Sequence, residues 1–223
     1  MQSEFNDLYR EYFPFWDELS EDDRDLLCRN TSNMTYKKGI NVHDSSECTG
    51  AFFVKSGCLR VYILSEDGKE VTLYRLFKGD MCLLSASCVI QSITFDVFVD
   101  AEEDTECALL SGITFASVSD RNPAMKIFAL EMAVGRFSDV MWVMQQILFM
   151  SMDKRLAIFL LDETTKQGDL TVKLTHEQIA KYMGSAREVV SRMLKYFSSE
   201  GIVEVSRKGV KVLDRQRLRD LSI

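Results

Sequence analysis

Seven apolar residues, Ile127, Leu130, Val134, Phe137, Met141, Met144 and Leu148, follow one another at spacings of 3, 4, 3, 4, 3 and 4. A strand alternates every second residue and cannot use that rhythm, whereas an α-helix puts all seven on one stripe. Asn122 and Pro123 just upstream supply a cap and a first helical position, so a helix over 122–150 is predicted. A strict heptad held over three repeats is the seam of a helix lying along another helix. Phe128, Met132, Val140, Trp142, Val143 and Ile147 add apolar residues off the seam. One face of such a helix can meet the rest of its own chain and the other a second copy. The seven seam residues are therefore the candidates for dimerisation.

Before this helix the rhythm is different. Residues 5–30 read as helical, with Ser20 and Asp23 spaced as a capping box. From Tyr36 to about Phe115 the chain reads as short strands. Phe52, Phe53 and Val54 run into the turn signal Ser56-Gly57, and Leu59, Val61 and Ile63 alternate with Arg60 and Tyr62. Asp67-Gly68 marks a hairpin loop, Val71 and Leu73 alternate with Thr72 and Tyr74 on the return, and Gly79-Asp80 makes the next turn. Residues 92–99 are rich in β-branched and aromatic side chains. Short strands at this spacing predict an antiparallel sandwich or roll.

After the long helix, a second helix is expected over residues 154–162, ended by Gln167-Gly168-Asp169. Then comes LTHEQIAKYMGSAREVVSRMLKYFSSEGIVEVSRKGVKVLD, residues 174–214. Thr175 with Gln178 reads as a capping box opening one helix, and Gly184 as the turn that closes it. Ser185 with Glu188 reads as a second capping box. On the helix that follows, Val190, Met193, Leu194 and Phe197 form a buried stripe, and Glu188, Ser191, Arg192 and Lys195 lie opposite, with Arg187 beside them. Gly201 ends it, and residues 202–213 fold back as a hairpin tipped by Arg207 and Lys208. Helix, glycine turn, helix and basic hairpin make a winged helix-turn-helix. Its second helix suits the major groove, where Arg pairs with guanine and Glu accepts from cytosine. The candidate DNA-contacting set is Thr175, Ser185, Arg187, Glu188, Ser191, Arg192, Lys195, Arg207 and Lys208. His176 occupies a first helical turn, where the hydroxyl cap accounts for the geometry.

Charge supports the division. The whole chain of 223 residues has a net charge of −7, which argues against nucleic acid. Yet residues 1–150 hold 13 Lys and Arg against 24 Asp and Glu, while residues 151–223 hold 14 against 10. The expected organisation is a sensor domain over 1–121, a dimerisation helix over 122–150 and a DNA-binding domain over 151–223. The modest basic excess predicts weak, salt-sensitive nonspecific binding. No apolar run is long enough to span a bilayer, and MQSEFNDLYR has acids where a secretory signal would be basic and then apolar. The expected location is the cytoplasm, with no membrane partner.

The roll segment FFVKSGCLRVYILSEDGKEVTLYRLFKGD (52–80) with Gly39, the heptad helix, and SAREVVSRMLKYFSSEGIV (185–203) together resemble the Crp/Fnr family of bacterial transcription regulators. The resemblance covers nearly the whole chain. It implies an α+β protein with an N-terminal antiparallel β-roll of the cyclic-nucleotide-binding type, a long central dimerisation helix and a C-terminal winged helix-turn-helix. It implies a homodimer on a palindromic operator of double-stranded DNA, with RNA polymerase and a small effector as further partners. Glu188, Ser191 and Arg192 would read bases as in the Fnr branch, and Arg187 holds a position that the cyclic-AMP receptor branch also uses. A half-site resembling TTGA or TGTGA follows.

The effector is not carried over. The family's nucleotide-binding members use Gly-Glu for the ribose and Arg followed by Ser or Thr for the phosphate. Here Leu83-Leu84 stand near the Gly-Glu position, and residues 79–120 hold eight acids and no Lys or Arg. A phosphate would lack the countercharge that makes its recognition strong, so cyclic AMP is not expected. An iron–sulfur cluster needs converging thiolates, and the N-terminal segment has only Cys28. Cys82, Ser85, Ser87 and Cys88 are the effector or redox candidates, with Cys107 or His43 as possible further metal ligands. The competing reading is buried structural thiols. A cupin-like metal enzyme would need several histidines inside the roll, and the chain has two in all. That enzyme, and an effector-binding module without DNA function, are the alternatives; neither explains the winged helix-turn-helix.

Overall fold

The computed structural model describes residues 2–44, 50–83 and 96–223. The chain forms two compact units, Met1–Leu64 with Leu73–Val140 and Ser65–Thr72 with Met141–Ile223.

In the first unit the N-terminal helical segment is three pieces: α1 (Gln2–Tyr12), a 3-10 turn (Trp16–Glu18) and α2 (Glu21–Arg29). Ser20 Oγ accepts from the Asp23 backbone N at 3.2 Å, which is one half of the expected capping box. The Asp23 carboxylate is instead taken by Arg121, whose Nε donates to Oδ1 at 2.7 Å. Strands begin earlier than expected, at β1 (Thr31–Tyr36), followed by β2 (Asn41–His43), β3 (Ala51–Ser56), β4 (Leu59–Leu64), β5 (Glu70–Leu76), β6 (Met81–Cys82), β7 (Phe98–Ala101) and β8 (Thr105–Leu110). They form two antiparallel sheets, ordered β1-β8-β3-β6 and β2-β7-β4-β5. Of the β-prone stretch 92–99, only Phe98 and Val99 are seen as strand; residues 92–95 lie outside the described residues.

The apolar run in β3 is explained by two cores. Phe52 and Val54 enter the interior between the sheets with Leu59, Val61, Leu76, Val99 and Cys107. Ala51 and Phe53 face the opposite way, against Tyr9, Phe13, Trp16 and Phe115. A strand buried on both faces reads as continuous rather than alternating. Strand structure does not extend to Phe115: residues 112–121 are helix α3 (Gly112–Arg121). Its Ile, Thr, Phe, Ser and Val are mediocre helix formers. Burial of Phe115 and Val118 in the helical core overrides that local preference.

Helix α4 (Pro123–Phe149) runs as its heptad predicts, with Asn122 Oδ1 accepting from the Met125 backbone N at 3.2 Å. Met125, Ala129, Phe128 and Met132 pack against the helical core and Val140 against the roll interior. The seam stays outside: exposure runs from 41% at Met141 to 64% at Val134 and Phe137.

The second unit contains α5 (Met152–Gln167), which begins and ends beyond the expected 154–162 and closes at Gly168 with φ +61°. It continues through β9 (Thr171–Val172), α6 (His176–Met183), α7 (Arg187–Ser199), β10 (Val203–Ser206), β11 (Gly209–Val212) and α8 (Arg215–Ser222). Its core joins Leu156 and Leu160 to Ile179, Val190, Leu194, Phe197, Val203, Val212 and Leu218. At about 1.5–3 kcal/mol for each fully buried large side chain, this core is substantial for so short a segment. Among the described residues, no helix is long and apolar enough to cross a membrane.

Candidate nucleic-acid interface

The capping box opening α6 is complete. Thr175 Oγ1 accepts from the Gln178 N at 3.1 Å, and Gln178 Oε1 accepts from the Thr175 N at 2.9 Å. Gly184, at φ +56°, turns the chain, and the Ser185 N donates back to the Ala180 carbonyl at 2.9 Å. This left-handed closure satisfies carbonyls at the helix end. The half-buried Arg155 also serves it, its guanidinium donating to the Met183 carbonyl, a favourable charge at a helix C-terminus.

The expected second capping box is not formed. Ser185 is spent on closing α6; the N-cap of α7 is Ala186, and no side chain caps it. Its first turn thus presents Arg187 and Glu188 exposed beside uncapped backbone N–H groups. Further along, Val190, Leu194 and Phe197 are buried and Met193 is half-buried, while Arg192 and Lys195 are exposed and Ser191 is half-buried. Among the described residues, no ion pair joins Glu188 to Arg192, and none engages Arg187, Lys195, Arg207 or Lys208. Nearby cations are neutralised: Lys173 by Asp169 at 3.2 Å, Lys181 by Glu70 at 2.8 Å and Arg217 by Glu200 at 2.7 Å.

The hairpin β10–β11 places Arg207 and Lys208 alone at its tip, between Ser206 and Gly209. The sequence reading missed its third strand: β9 pairs with β11, Val172 opposite Val210. Gly209, at φ +126°, lies so close to β9 that a Cβ would sit 2.2 Å from the Val172 carbonyl oxygen. A cleft of about 440 Å³ runs between wing and helices, lined by Lys173, Thr175, His176, Arg187, Arg207 and Lys208 among others. His176 Nδ1 is 2.8 Å from Ser191 Oγ, a contact between two helices that no local spacing could reveal.

The effector candidates are only partly visible. Ser85, Ser87 and Cys88, like Leu84 and Cys48, lie outside the described residues. Cys82 is buried in the roll interior with Cys107. Burial, with Cys82 adding to it, pushes the Cys107 thiol up to about 12. Cys58 is likewise pushed to about 12 by burial and then by Glu102, and burial pulls the His43 imidazole down. Among the described residues, no group of three or more His, Cys, Asp or Glu is placed to hold a metal.

The sequence reading did not single out Arg136. It stacks over the Tyr74 ring at 4.6 Å, bonds Asp139 at 3.0 Å and reaches the Met81 carbonyl at 3.4 Å. It lines a cleft of about 410 Å³ with Tyr12, Asp80, Phe128 and Met132. The available signal was a charged pair, Arg136 and Asp139, three residues apart in the middle of a largely apolar helix.

A roll of two antiparallel sheets, a long helix with an exposed heptad and a winged pair of helices define a two-part, helix-turn-helix regulator. Residues 36–122 match the cyclic nucleotide-binding domain family, and residues 154–221 match the Crp-like helix-turn-helix domain family. A solved structure from Eubacterium rectale, described as a transcriptional regulator of the Crp/Fnr family, is 45% identical, with a TM-score of 0.90 over 95% of this chain and 98% of that one. The transcriptional regulator flp of Lacticaseibacillus casei is 25% identical over 94% of this chain and 95% of its own length. The cAMP-activated global transcriptional regulator Vfr of Pseudomonas aeruginosa is 24% identical over 78% of this chain and 86% of its own. The chain belongs to the Crp/Fnr family: it is a DNA-binding transcription regulator with a cyclic-nucleotide-binding-type domain.

Proposed function

We propose that two copies pair along the α4 seam through Ile127, Leu130, Val134, Phe137, Met141, Met144 and Leu148 and read a palindromic operator. Residues 1–121 act as sensor, 122–150 as the pairing helix and 151–223 as the reader. Glu188, Ser191 and Arg192 contact base edges, with Arg187 at the groove entrance. Lys195, Arg207 and Lys208, with Thr175 at the start of α6 and Ser185 in the turn before α7, hold the phosphates. The observation that carries this reading is the exposed, unpaired set of cations on α7 and the wing, opposite a fully buried Val190–Leu194–Phe197 stripe.

The same reading gives the roll an effector other than cyclic AMP. Residues 79–120 contain no Lys or Arg, and Arg136, from α4, is already held by Asp139 and the Met81 carbonyl. Saturable micromolar binding of cyclic AMP in isothermal titration would overturn this part. The operator part is tested by gel shift on a palindrome of TTGA-type half-sites spaced by about one helical turn. Arg192→Ala is expected to weaken specific binding by about 1–3 kcal/mol per half-site and to relax selection at one base. Unchanged operator affinity overturns it.

A further inference from the structure

His176 is the first residue of α6, yet its ring reaches across to α7, where Nδ1 lies 2.8 Å from Ser191 Oγ. The ring lines two clefts of the same face. One, toward the wing, also holds Lys173, Arg187, Arg207 and Lys208; the other, along α7, holds Ser191 and Lys195. The two ring nitrogens are therefore inequivalent: Nδ1 is committed to Ser191, while Nε2 has no partner among the described residues, on a ring that lines the basic cleft.

We propose that His176 is a positioning residue that sets specificity through Ser191, by deciding whether that hydroxyl offers a hydrogen or a lone pair to the base. The proposal deepens, and rests on, the base-reading role given to Ser191 above. A serine hydroxyl has one hydrogen to donate and lone pairs with which to accept. A phosphate held in the basic cleft only accepts, so it keeps the ring proton on Nε2. The neutral ring then presents Nδ1 as an acceptor, and Ser191 donates its one hydrogen to it. What remains toward the groove is a lone pair, which selects a donor: the exocyclic amine of adenine or of cytosine. A hydroxyl released from the ring rotates, donates or accepts at will, and no longer discriminates. Backbone grip and base choice are thereby linked through one imidazole.

The test is selection of operators by the full chain from DNA randomised across both half-sites. The wild type is expected to prefer an amine-bearing base at one position of each half-site, and Ser191→Ala to lose that preference. His176→Phe, which keeps a ring but has no nitrogen, is expected to lose about tenfold in discrimination at that position alone. His176→Asn, whose amide oxygen can stand in for Nδ1, is expected to restore it. A purely structural role predicts an even loss across the site and no rescue, and either result overturns the proposal. So does a His176→Phe protein that keeps the preference. A wild type that selects no operator overturns the operator reading and this proposal together, so the two failures are distinguishable. Should His176→Phe not fold, nitrogen NMR of the His176 ring decides. Its Nδ1 resonance is expected to move on Ser191→Ala, and a resonance that stays put overturns the proposal.

Discussion

The exposed faces of the two units differ in how their lysines and arginines are paired. In the first, many are answered close at hand: Arg10 by Asp17 at 3.1 Å, Arg29 by Asp25 at 2.9 Å, Lys55 by Glu4 at 2.8 Å, Arg136 by Asp139 at 3.0 Å. Arg60 is buried at 5% exposure with Asp100 at 3.2 Å. In the second, Lys173, Lys181 and Arg217 are paired in the same way and Arg215 donates to the Thr165 hydroxyl, but among the described residues no carboxylate pairs with Arg187, Arg192, Lys195, Arg207 or Lys208. Surface pairs of this kind add little stability; what they do is remove a charge from the protein's outward field. Net charge is therefore a blunt instrument. The difference between the units is less one of how many cations each has than of which ones are left without a carboxylate.

The largest way to break this contrast is to separate the copies that present the free cations. Phe137→Asp puts a charge into the proposed seam, and sedimentation should show monomers. Operator affinity should fall by at least about 100-fold as two-handed engagement is lost. A monomeric variant with full operator affinity would remove the dimer from the mechanism. A sharper and smaller test compares cations of the two kinds. Arg207→Ala with Lys208→Ala should weaken all DNA sequences alike and flatten the salt dependence by about one unit per cation removed. Arg10→Ala with Arg29→Ala should leave both unchanged. Equal effects of the two pairs would show that overall charge, not pairing, governs binding.

The smallest expected effect concerns groups the first unit hides. Cys58 and Cys107 have thiols raised from 9.0 to about 12, chiefly by burial. The folded form thus holds protons that the unfolded chain releases. Stability from these groups is complete below about pH 9 and declines as pH rises toward 12. At neutral pH neither thiol should react with maleimide until the chain is denatured. Native labelling of Cys107 would reopen the roll interior as a redox site.

Much of this architecture was legible in the residues. The 3-4 spacing of α4, the Thr175–Gln178 box and the Asp67-Gly68 hairpin are short-range signals, and each reports on neighbours within one or two turns. What escaped was decided at a distance. Helix α3 looks like strand because Phe115 and Val118 are there for burial in the helical core, not for helix propensity. Ser185 has the spacing of a cap but is drawn into closing the preceding helix. Strand β9 is two residues long and owes its existence to β11, some forty residues on. For the site, the α7 face could be read from a helical wheel. The His176–Ser191 contact could not, because it crosses between helices, and Arg136 went unnoticed because its partners come from β5, β6 and its own next turn.

The close approach of Gly209 to Val172 carries one more consequence. A side chain there would collide with the β9 backbone, so the wing is clasped to the strand that leads into α6. On the proposed reading, the wing that would hold phosphates and the helix that would read bases are then parts of one rigid gauge. Where the wing settled on the backbone would then determine which base pairs α7 met, much as a stop on a ruler determines where counting begins. A substitution at Gly209 should therefore be felt less as lost charge than as lost alignment: the same letters available, but read out of frame.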